Sequence, residues 1–324
     1  MTTKIRTRLL LSLAFGAVVF IGLTIFADAG KLAIAFGQFH WIMFPVVLAC
    51  SSMNYIFRYW KWDYYTRVLA IRPSTSANVI IFFAAFLMAV TPGKFGEVLK
   101  SYLLKQVNGT PISVSAPVIL AERLTDFIGL TVLILVGAWM FGHAQTVIAS
   151  FAVFFASVTA LLAWRRGALY SIGLLGRLPV IRRYTHHAAV AYESVYRLLR
   201  PRILFNAAVL SVVSWFFECL GFWIILQQFG APATLLKASF IYAFSTIVGA
   251  VSMLPGGLGT TEGTLTGLTI WAGAPNHIAV ASTFLIRVAT LWYAVVVGII
   301  VTLAFQHRLP VRINDIDLDS GGTE

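Results

Sequence analysis

The feature that most constrains this chain is an apolar stretch that breaks in its middle. Residues 77–90 are mostly apolar and 14 residues long, and they end just before Pro92-Gly93. A helix of that length covers roughly 21 Å, less than the ~30 Å hydrocarbon core of a bilayer. After the break the chain continues as a charged segment with Lys94, Glu97, Lys100 and Lys105. This pattern predicts a re-entrant hairpin, whose irregular backbone must be surrounded by protein or water. The break is therefore a candidate binding site.

Composition assigns the chain to the membrane proteins. Hydrophobic residues make up 59% of the chain and charged residues only 11%, whereas soluble domains carry about 25% charged residues. Cys50 and Cys219 lie in apolar runs, which indicates packing residues rather than a disulfide framework. The net charge of +12 is better explained by cytoplasmic loops facing anionic lipid than by nucleic acid. No Walker, Rossmann or metal-binding motif is present, so we expect no cofactor and no metal.

The apolar runs predict an all-α integral membrane protein with about eight helical membrane segments. About six are full spans and two are re-entrant hairpins, the second of which covers residues 238–271. Residues 27–39 are expected to form a short loop. The predicted full spans are residues 9–26, 40–59, 114–141, 147–164, 203–228 and 278–305.

We expect a single polytopic membrane domain over residues 1–306, followed by a disordered tail over residues 307–324. A basic linker at residues 165–202 joins its two halves. Ala188, Tyr192, Val195 and Leu199 fall on one helical face there, which predicts an amphipathic helix on the inner membrane surface. A docking site for a soluble partner is the alternative.

The basic residues predict the orientation. Of 24 Lys and Arg residues, 20 fall on one side of the predicted spans, and only Lys31 and Lys237 fall on the other. Positive charge collects on cytoplasmic loops, so both termini are predicted to be cytoplasmic.

The two hairpins form an internal repeat. Pro92-Gly93-Lys94-Phe95-Gly96 matches Pro255-Gly256-Gly257-Leu258-Gly259 at an offset of 163 residues, and a span containing an arginine follows each break, Arg123 and then Arg287. The predicted topology places the repeats, about residues 40–141 and 203–305, in opposite orientations. Inverted repeats of this kind are common in secondary transporters. Each arginine lies about nine residues into its helix, roughly 13 Å deep and near the midplane.

Several charges at membrane depth must be paired or must line water, because an ionised group at the bilayer centre costs ~3 kcal/mol on insertion scales. One possibility is mutual pairing, with Arg123 bound to Asp126 and Arg287 bound to a hairpin acid. The other is that the arginines bind an anion such as a lipid phosphate. Glu97 and Glu262 either cap the restarting helices or take part in binding substrate or protons. These charges are Glu97, Glu122, Arg123, Asp126, Glu218, Glu262 and Arg287.

Three segments carry a family resemblance: TPGKFGEVLKSYLL at residues 91–104, AERLTDFIGL at 121–130 and LPGGLGTTEG at 254–263. With them the chain resembles the flippase-like transmembrane family of lysylphosphatidylglycerol synthase, the membrane half of the multiple peptide resistance factor, over residues 8–305. The resemblance implies a bacterial or archaeal inner-membrane protein that binds or moves lipids with polar head groups. Lys94, Lys100 and Thr261 stand where Arg is common in the family, so the head-group preference does not transfer. The candidate binding residues are Pro92, Gly93, Lys94, Gly96, Glu97, Glu122, Arg123, Asp126, Glu218, Pro255, Gly256, Gly257, Gly259, Glu262 and Arg287.

The sequence thus predicts a lipid transporter of the flippase type. Its expected partners are membrane lipids, either phospholipids or polyprenyl and glycolipids. We expect no enzyme activity, since no soluble synthase domain and no catalytic constellation is evident. The alternatives are a membrane-embedded enzyme that modifies lipid head groups, with Glu97 or Glu262 as general base, a non-catalytic scaffold of a lipid pathway, and a small-anion transporter.

Overall fold

A computed structural model describes residues 3–90, 97–138, 150, 153 and 185–305. Every regular element in these residues is helical. The α-helices are α1 (Thr3–Ala27), α2 (Ala29–Gln38), α3 (Phe44–Val68), α4 (Thr75–Ala84), α5 (Val98–Asn108), α6 (Ile112–Ala138), α7 (Thr185–Leu198), α8 (Pro201–Gln228), α9 (Leu235–Val251), α10 (Thr260–Trp271), α11 (Asn276–Arg287) and α12 (Tyr293–Phe305). Short 3₁₀ turns occupy Trp41–Met43, Ala85–Met88 and Pro255–Gly257, and a π-helical turn at Val288–Trp292 joins α11 to α12.

Local sequence explains where several helices begin and end. Ser74 caps α4 by accepting a hydrogen bond from the Ala77 N–H. Proline stands in the first turn of α3 and of α8, where its missing N–H has no intrahelical partner to lose. Gly109 ends α5 in the left-handed conformation that favours glycine.

Two helices in the described residues are long and apolar enough to cross a membrane by themselves, Pro201–Gln228 and Asn276–Phe305. A third is counted if the pair Ala14–Ala27 and Ala29–Gln38, bent by 94°, is one span. The helices Thr75–Met88 and Leu235–Val251 are apolar but shorter, as predicted for the leading arms of the two hairpins. The expected all-α, apolar character is confirmed, whereas the number of spans and the re-entrant course of the hairpins remain predictions.

Three predicted elements differ from the structure or lie outside it. Residues 29–38 form helix α2 rather than a loop, because the Asp28 side chain caps it by accepting from the Gly30 N–H. Helix α3 continues to Val68 instead of ending at Tyr59. The predicted span at 147–164 lies outside the described residues except for residues 150 and 153.

The chain divides into two compact units. Unit 1 is Met1–Phe39, Pro73–Gly109 and Val248–Glu324, and unit 2 is His40–Arg72 and Thr110–Ile247. In unit 1, α12 packs on α4 and its 3₁₀ extension, and α11 packs on α10, α1 and α2. In unit 2, α8 packs on α3 and α6, and α7 packs on α6.

The amphipathic helix predicted in the basic linker is present in part as α7. Its apolar face is buried against α6, where Val195 and Leu199 form a cluster with Leu124. The rest of the predicted linker, residues 165–184, lies outside the described residues.

Candidate functional site

The second predicted break is built from glycines with unusual backbone angles. We call residues 254–259 the glycine break. Gly256, Gly257 and Gly259 have φ values of +59°, +67° and +85°, a region that side-chain-bearing residues rarely adopt. The backbone also packs tightly, since a Cβ on Gly257 would lie 2.5 Å from the Thr261 hydroxyl oxygen. Glycine at positions 256, 257 and 259 is therefore required by the shape of this turn.

Glu262 closes the start of α10 immediately after the glycine break. Its Oε2 accepts a hydrogen bond of 2.6 Å from the main-chain N–H of Gly259, which precedes the first turn of the helix. An acid in this position satisfies a free N–H group and lies at the positive end of the helix dipole. Capping by Glu262 was one of the two predicted roles, and it is confirmed.

Arg287 completes the site from the last residue of α11. Its Nε donates to Glu262 Oε1 at 2.5 Å, and its Nη2 donates to the Gly256 carbonyl at 2.7 Å. Glu262 is fully buried, and Arg287 is 8% exposed. The predicted pairing of Arg287 with a hairpin acid is thus confirmed. We call this arrangement the Arg287–Glu262 site.

The Arg287 guanidinium has more donors than the described residues use. It carries five N–H groups, and two of them bond to partners among the described residues. The π-helical turn begins at the next residue, Val288. Such turns often mark functional positions in helices. The Arg287–Glu262 site therefore combines a helix N-terminus with a cation that can accept a further anionic ligand.

A second buried polar site lies in unit 2, between α3, α6 and α8. The Lys61 ammonium donates to Asp126 Oδ1 at 2.5 Å and to the Ser211 hydroxyl at 2.7 Å. Ser211 Oγ and Trp215 Nε1 also donate to Asp126 Oδ1, at 3.2 and 3.1 Å. We call these four residues the Lys61–Asp126 site.

A close helix contact brings the members of the Lys61–Asp126 site together. Gly129 lies three residues after Asp126 on α6, and a Cβ there would be 2.9 Å from the backbone of Ser211. Only glycine allows α8 to approach so closely. One turn further along α8, the Ser214 carbonyl accepts from the Asn54 side chain at 2.9 Å, which ties α3 to the same layer.

The partner of Asp126 was not singled out from the sequence. Pairing of Asp126 with Arg123 on its own helix was one of the two possibilities, but its ion pair is with Lys61 on α3. Lys61 lies just after the predicted second span, residues 40–59, yet it is 1% exposed. The spacing of Asn54, Lys61 and Tyr65 along one face of α3 was the signal available, and all three are buried. Ser211, Trp215 and Tyr242 were also missed.

The remaining predicted residues are distributed as follows. Glu122 is buried in unit 2, and Arg123 is half-buried beside it. Glu218 is buried and accepts a hydrogen bond of 2.7 Å from the Tyr242 hydroxyl. Glu97 is half-buried directly before α5. Pro92, Gly93, Lys94 and Gly96 lie outside the described residues.

Comparison with known proteins gives the family. Residues 9–298 match the family described as the lysylphosphatidylglycerol synthase TM region. The chain belongs to this family. An UPF0104 membrane protein of Methanothermobacter thermautotrophicus is 22% identical, with 94% of this chain and 96% of the relative covered. An UPF0104 membrane protein of Pyrococcus horikoshii is 25% identical over 71% of this chain and 76% of its own length. One of Methanocaldococcus jannaschii is 21% identical over 77% and 80%.

The family match confirms the resemblance inferred from the three segments. It covers nearly all of the described residues, including both the Arg287–Glu262 site and the Lys61–Asp126 site. These relatives are archaeal membrane proteins, in accord with the membrane character of the composition. The chain is therefore a membrane protein of this family.

Proposed function

We propose that this protein is a transporter that binds the anionic or polar head group of a membrane lipid and moves the lipid across the bilayer. The observation that carries the proposal is the Arg287–Glu262 site. A nearly buried guanidinium, with more donors than the described residues use, lies beside a helix N-terminus in an apolar chain.

Glu262 accepts hydrogen bonds from two groups, a helix N-terminal N–H and an arginine guanidinium, and proteins use both kinds of group to bind phosphate. Free N–H groups at a helix N-terminus bind anions, and arginine binds phosphate and carboxylate in the same forked geometry. Glu262 places one oxygen on each of these groups. We infer that its carboxylate holds the position of an anionic head group, and that a lipid phosphate competes with Glu262 for Arg287.

The family name supports a lipid ligand. The family is described by lysylphosphatidylglycerol synthase, whose name contains a phospholipid with an amino-acid head group. We propose that this chain takes a lipid of that general class, with an anionic phosphate that Arg287 can reach.

Transport then requires the site to be exposed to each leaflet in turn. We propose that the hairpins at residues 77–106 and 238–271 are inverted repeats that open alternately, as in other secondary transporters. Exchange between Glu262 and the lipid phosphate lets the head group leave without stranding an unpaired arginine, a state that costs about 3–5 kcal/mol for a buried pair.

A head-group-modifying enzyme fits the Arg287–Glu262 site less well. A general base needs an oxygen within reach of the proton that it removes. Both oxygens of Glu262 already accept hydrogen bonds, one from Gly259 and one from Arg287. The described geometry therefore favours binding over acid-base chemistry at this glutamate.

The test measures lipid binding and lipid movement with the same variants. Purified protein is titrated with fluorescent phosphatidylglycerol in detergent, and it is then reconstituted in liposomes with an impermeant quencher outside. We expect Arg287→Ala to weaken binding by at least about tenfold, because a charged hydrogen bond contributes about 1.5–3 kcal/mol. We expect Glu262→Gln to bind the lipid more tightly and to move it more slowly, since the competing carboxylate is gone.

Opposite signs in these two variants distinguish a ligand site from a structural ion pair. If the pair only stabilises the fold, both variants weaken binding. Arg67→Gln is the control, because Arg67 is an exposed arginine that pairs with Asp63 one turn away. Failure of the wild type to move any labelled lipid faster than empty liposomes do would overturn the transport proposal. Formation of a modified lipid would favour the enzyme instead.

A further inference from the structure

Asp126 has one oxygen with several donors and one with none. Lys61, Ser211 and Trp215 all donate to Oδ1. Oδ2 is buried and has no hydrogen-bond partner among the described residues. An ionised carboxylate accepts hydrogen bonds on both oxygens, and a buried acceptor without a donor is destabilising. Asp126 Oδ2 is therefore an acceptor that a hydrogen-supplying group would stabilise.

A proton is the ligand that best fits this position. It binds the carboxylate oxygen directly and removes the charge that lacks a partner. A metal ion is disfavoured because the Lys61 ammonium lies 2.5 Å from the other oxygen of the same carboxylate. Within the described residues, no three His, Cys, Asp or Glu side chains gather to hold a metal.

Lys61 has a second acid within reach when Asp126 is neutral. Glu122 lies four residues before Asp126, so both acids face the same side of α6, and both are buried. The Lys61 ammonium already lies 3.5 Å from the main-chain oxygen of Glu122. Protonation of Asp126 would thus free Lys61 to pair with Glu122 rather than leave its charge unpaired.

The charges around the site are mixed and have an excess of cations. Lys61 interacts electrostatically with Arg58 on α3 and Glu122 on α6. Asp126 interacts with Arg58 and Arg123, and Tyr65 on α3 lies within range of both acids. Helix α8 contributes Ser211 and Trp215, which do not titrate. Val195 of α7 and Leu199, which follows α7 directly, pack against Leu124 of α6. Three cations against two acids repel an incoming proton, so we expect the site to fill only on acidification.

We propose that Asp126 Oδ2 is a proton-binding site, and that protonation releases Lys61 from Asp126 toward Glu122. One proton adds to the carboxylate, Lys61 keeps its own, and the charge of the site rises by one. The site stands on the geometry of unit 2 and does not depend on lipid transport. If the protein moves lipids, this site supplies the ion whose gradient drives the movement.

Trp215 is a built-in reporter for the test. Its indole N–H donates to Asp126 Oδ1 at 3.1 Å, so its fluorescence is expected to change when the carboxylate becomes neutral. The protein has nine tryptophans, and the Trp215 signal is obtained by subtracting a Trp215→Phe variant. We expect a one-proton transition on acidification of the purified wild type, with an infrared band of the protonated carboxyl group over the same range.

Matched variants decide the assignment. Both signals should vanish in Asp126→Asn and persist in Asp63→Asn, which removes a more exposed acid of α3 that pairs with Arg67. No transition in the wild type, or an unchanged transition in Asp126→Asn, would overturn the proposal. A fluorescence change without the infrared band would also overturn it, because a group other than a carboxylate would then have gained the proton.

A double variant controls for the possibility that Asp126→Asn fails to fold. A second experiment, in liposomes, tests proton binding and lipid transport separately. Lys61→Met with Asp126→Leu replaces the pair by apolar groups, a change that buried ion pairs often tolerate. It should fold and show no transition. A gradient of one pH unit should change the steady-state lipid distribution about tenfold in the wild type if one proton moves per lipid, and should have no effect in the double variant. A wild type that titrates but moves no lipid keeps the proton site and refutes transport.

Discussion

Arg287 shows how a charged residue is accommodated in a long apolar helix. The continuous segment Asn276–Phe305 is apolar enough to span a membrane. It nevertheless contains Arg287, whose side chain is buried, with a relative exposure of 8%. One carboxylate and one carbonyl freed by the glycine break accept from the guanidinium. The glycine break therefore helps to stabilise the buried arginine, because the Gly256 carbonyl is free to accept, whereas the carbonyls inside a regular helix are already bonded.

Removing only one member of the Arg287–Glu262 ion pair should lower the free energy of unfolding more than removing both. We expect Arg287→Met to destabilise the protein by about 3–5 kcal/mol, because it leaves the buried Glu262 charge without its cation. The double variant Arg287→Met with Glu262→Gln should recover most of that loss. The glutamine carbonyl can still accept from Gly259, and no charge remains unpaired. Denaturant unfolding in detergent measures both effects, and simple additivity of the two single changes would contradict this explanation.

At the residue scale, the sequence predicted the contacts around the glycine break better than those between the packed helices α3 and α6. The cap of α10 by Glu262 follows from its position three residues after Gly259, which a sequence shows directly. The partner of Asp126 depends on how α3 is rotated against α6. Lys61 is chosen by that packing, and residue spacing on α6 alone could only suggest Arg123.

At the scale of elements, a glycine lets helix α12 pack directly on the 3₁₀ turn Ala85–Met88, which extends α4. A Cβ on Gly298 would lie 2.3 Å from the main-chain nitrogen of Leu87 and 2.8 Å from the carbonyl carbon of Phe86. These are backbone atoms of the 3₁₀ turn that ends the short apolar helix Thr75–Met88. The contact is therefore tight, and it holds the helix Thr75–Met88, the leading arm of the first predicted hairpin, on the helix that follows Arg287.

Gly298→Ala should disrupt this contact. Overpacking a tight interface costs about 1–3 kcal/mol, so we expect a lower melting temperature in detergent than for the wild type. Gly267→Ala in α10 is the matched control, since a Cβ there meets nothing within 4 Å. Alanine in an open helical position is expected to stabilise by roughly 0.5–1 kcal/mol. Equal melting temperatures for the two variants would argue against a close contact at Gly298.

Helix boundaries were predicted best where proline and glycine residues mark them in the sequence. Pro255 and its glycines marked the second break, and the structure has left-handed glycines there. By contrast, the π-helical turn after Arg287 has no such marker, since Val288, Ala289 and Thr290 suit an ordinary helix. Helix α2 was missed because a single capping side chain, Asp28, creates a new helix without a Pro or Gly pair.

At the scale of the whole molecule, each compact unit draws on both predicted repeats. Unit 1 contains residues 73–109 from the first repeat and the chain from residue 248 onward from the second. Unit 2 contains the helices that precede each hairpin, α3 and α8. A sequence shows the two repeats one after the other. Which segments of the two repeats join the same compact unit depends on which apolar helix faces bury each other. The inverted orientation of the repeats rests on the distribution of Lys and Arg, and it is a prediction that labelling can test.

Cysteine labelling tests the inverted repeat. The native Cys50 and Cys219 are buried and are first replaced by alanine. Single cysteines are then placed at the exposed positions Lys105 and Trp271, which end the first and second hairpins. If hairpin one enters from the cytoplasm and hairpin two from outside, an impermeant maleimide added to intact cells labels position 271 and not 105. Both become labelled after the membrane is permeabilised.

A third position fixes the absolute orientation. Lys31 is exposed and is predicted to face outward, so Lys31→Cys should react in intact cells together with position 271. Repeats in the same orientation would instead place positions 105 and 271 on one side, because each would end a hairpin entering from that side. Labelling of both or of neither in intact cells would therefore remove the basis for alternating access between the hairpins. The proton site at Asp126 would be unaffected, because its geometry involves α3, α6 and α8 alone.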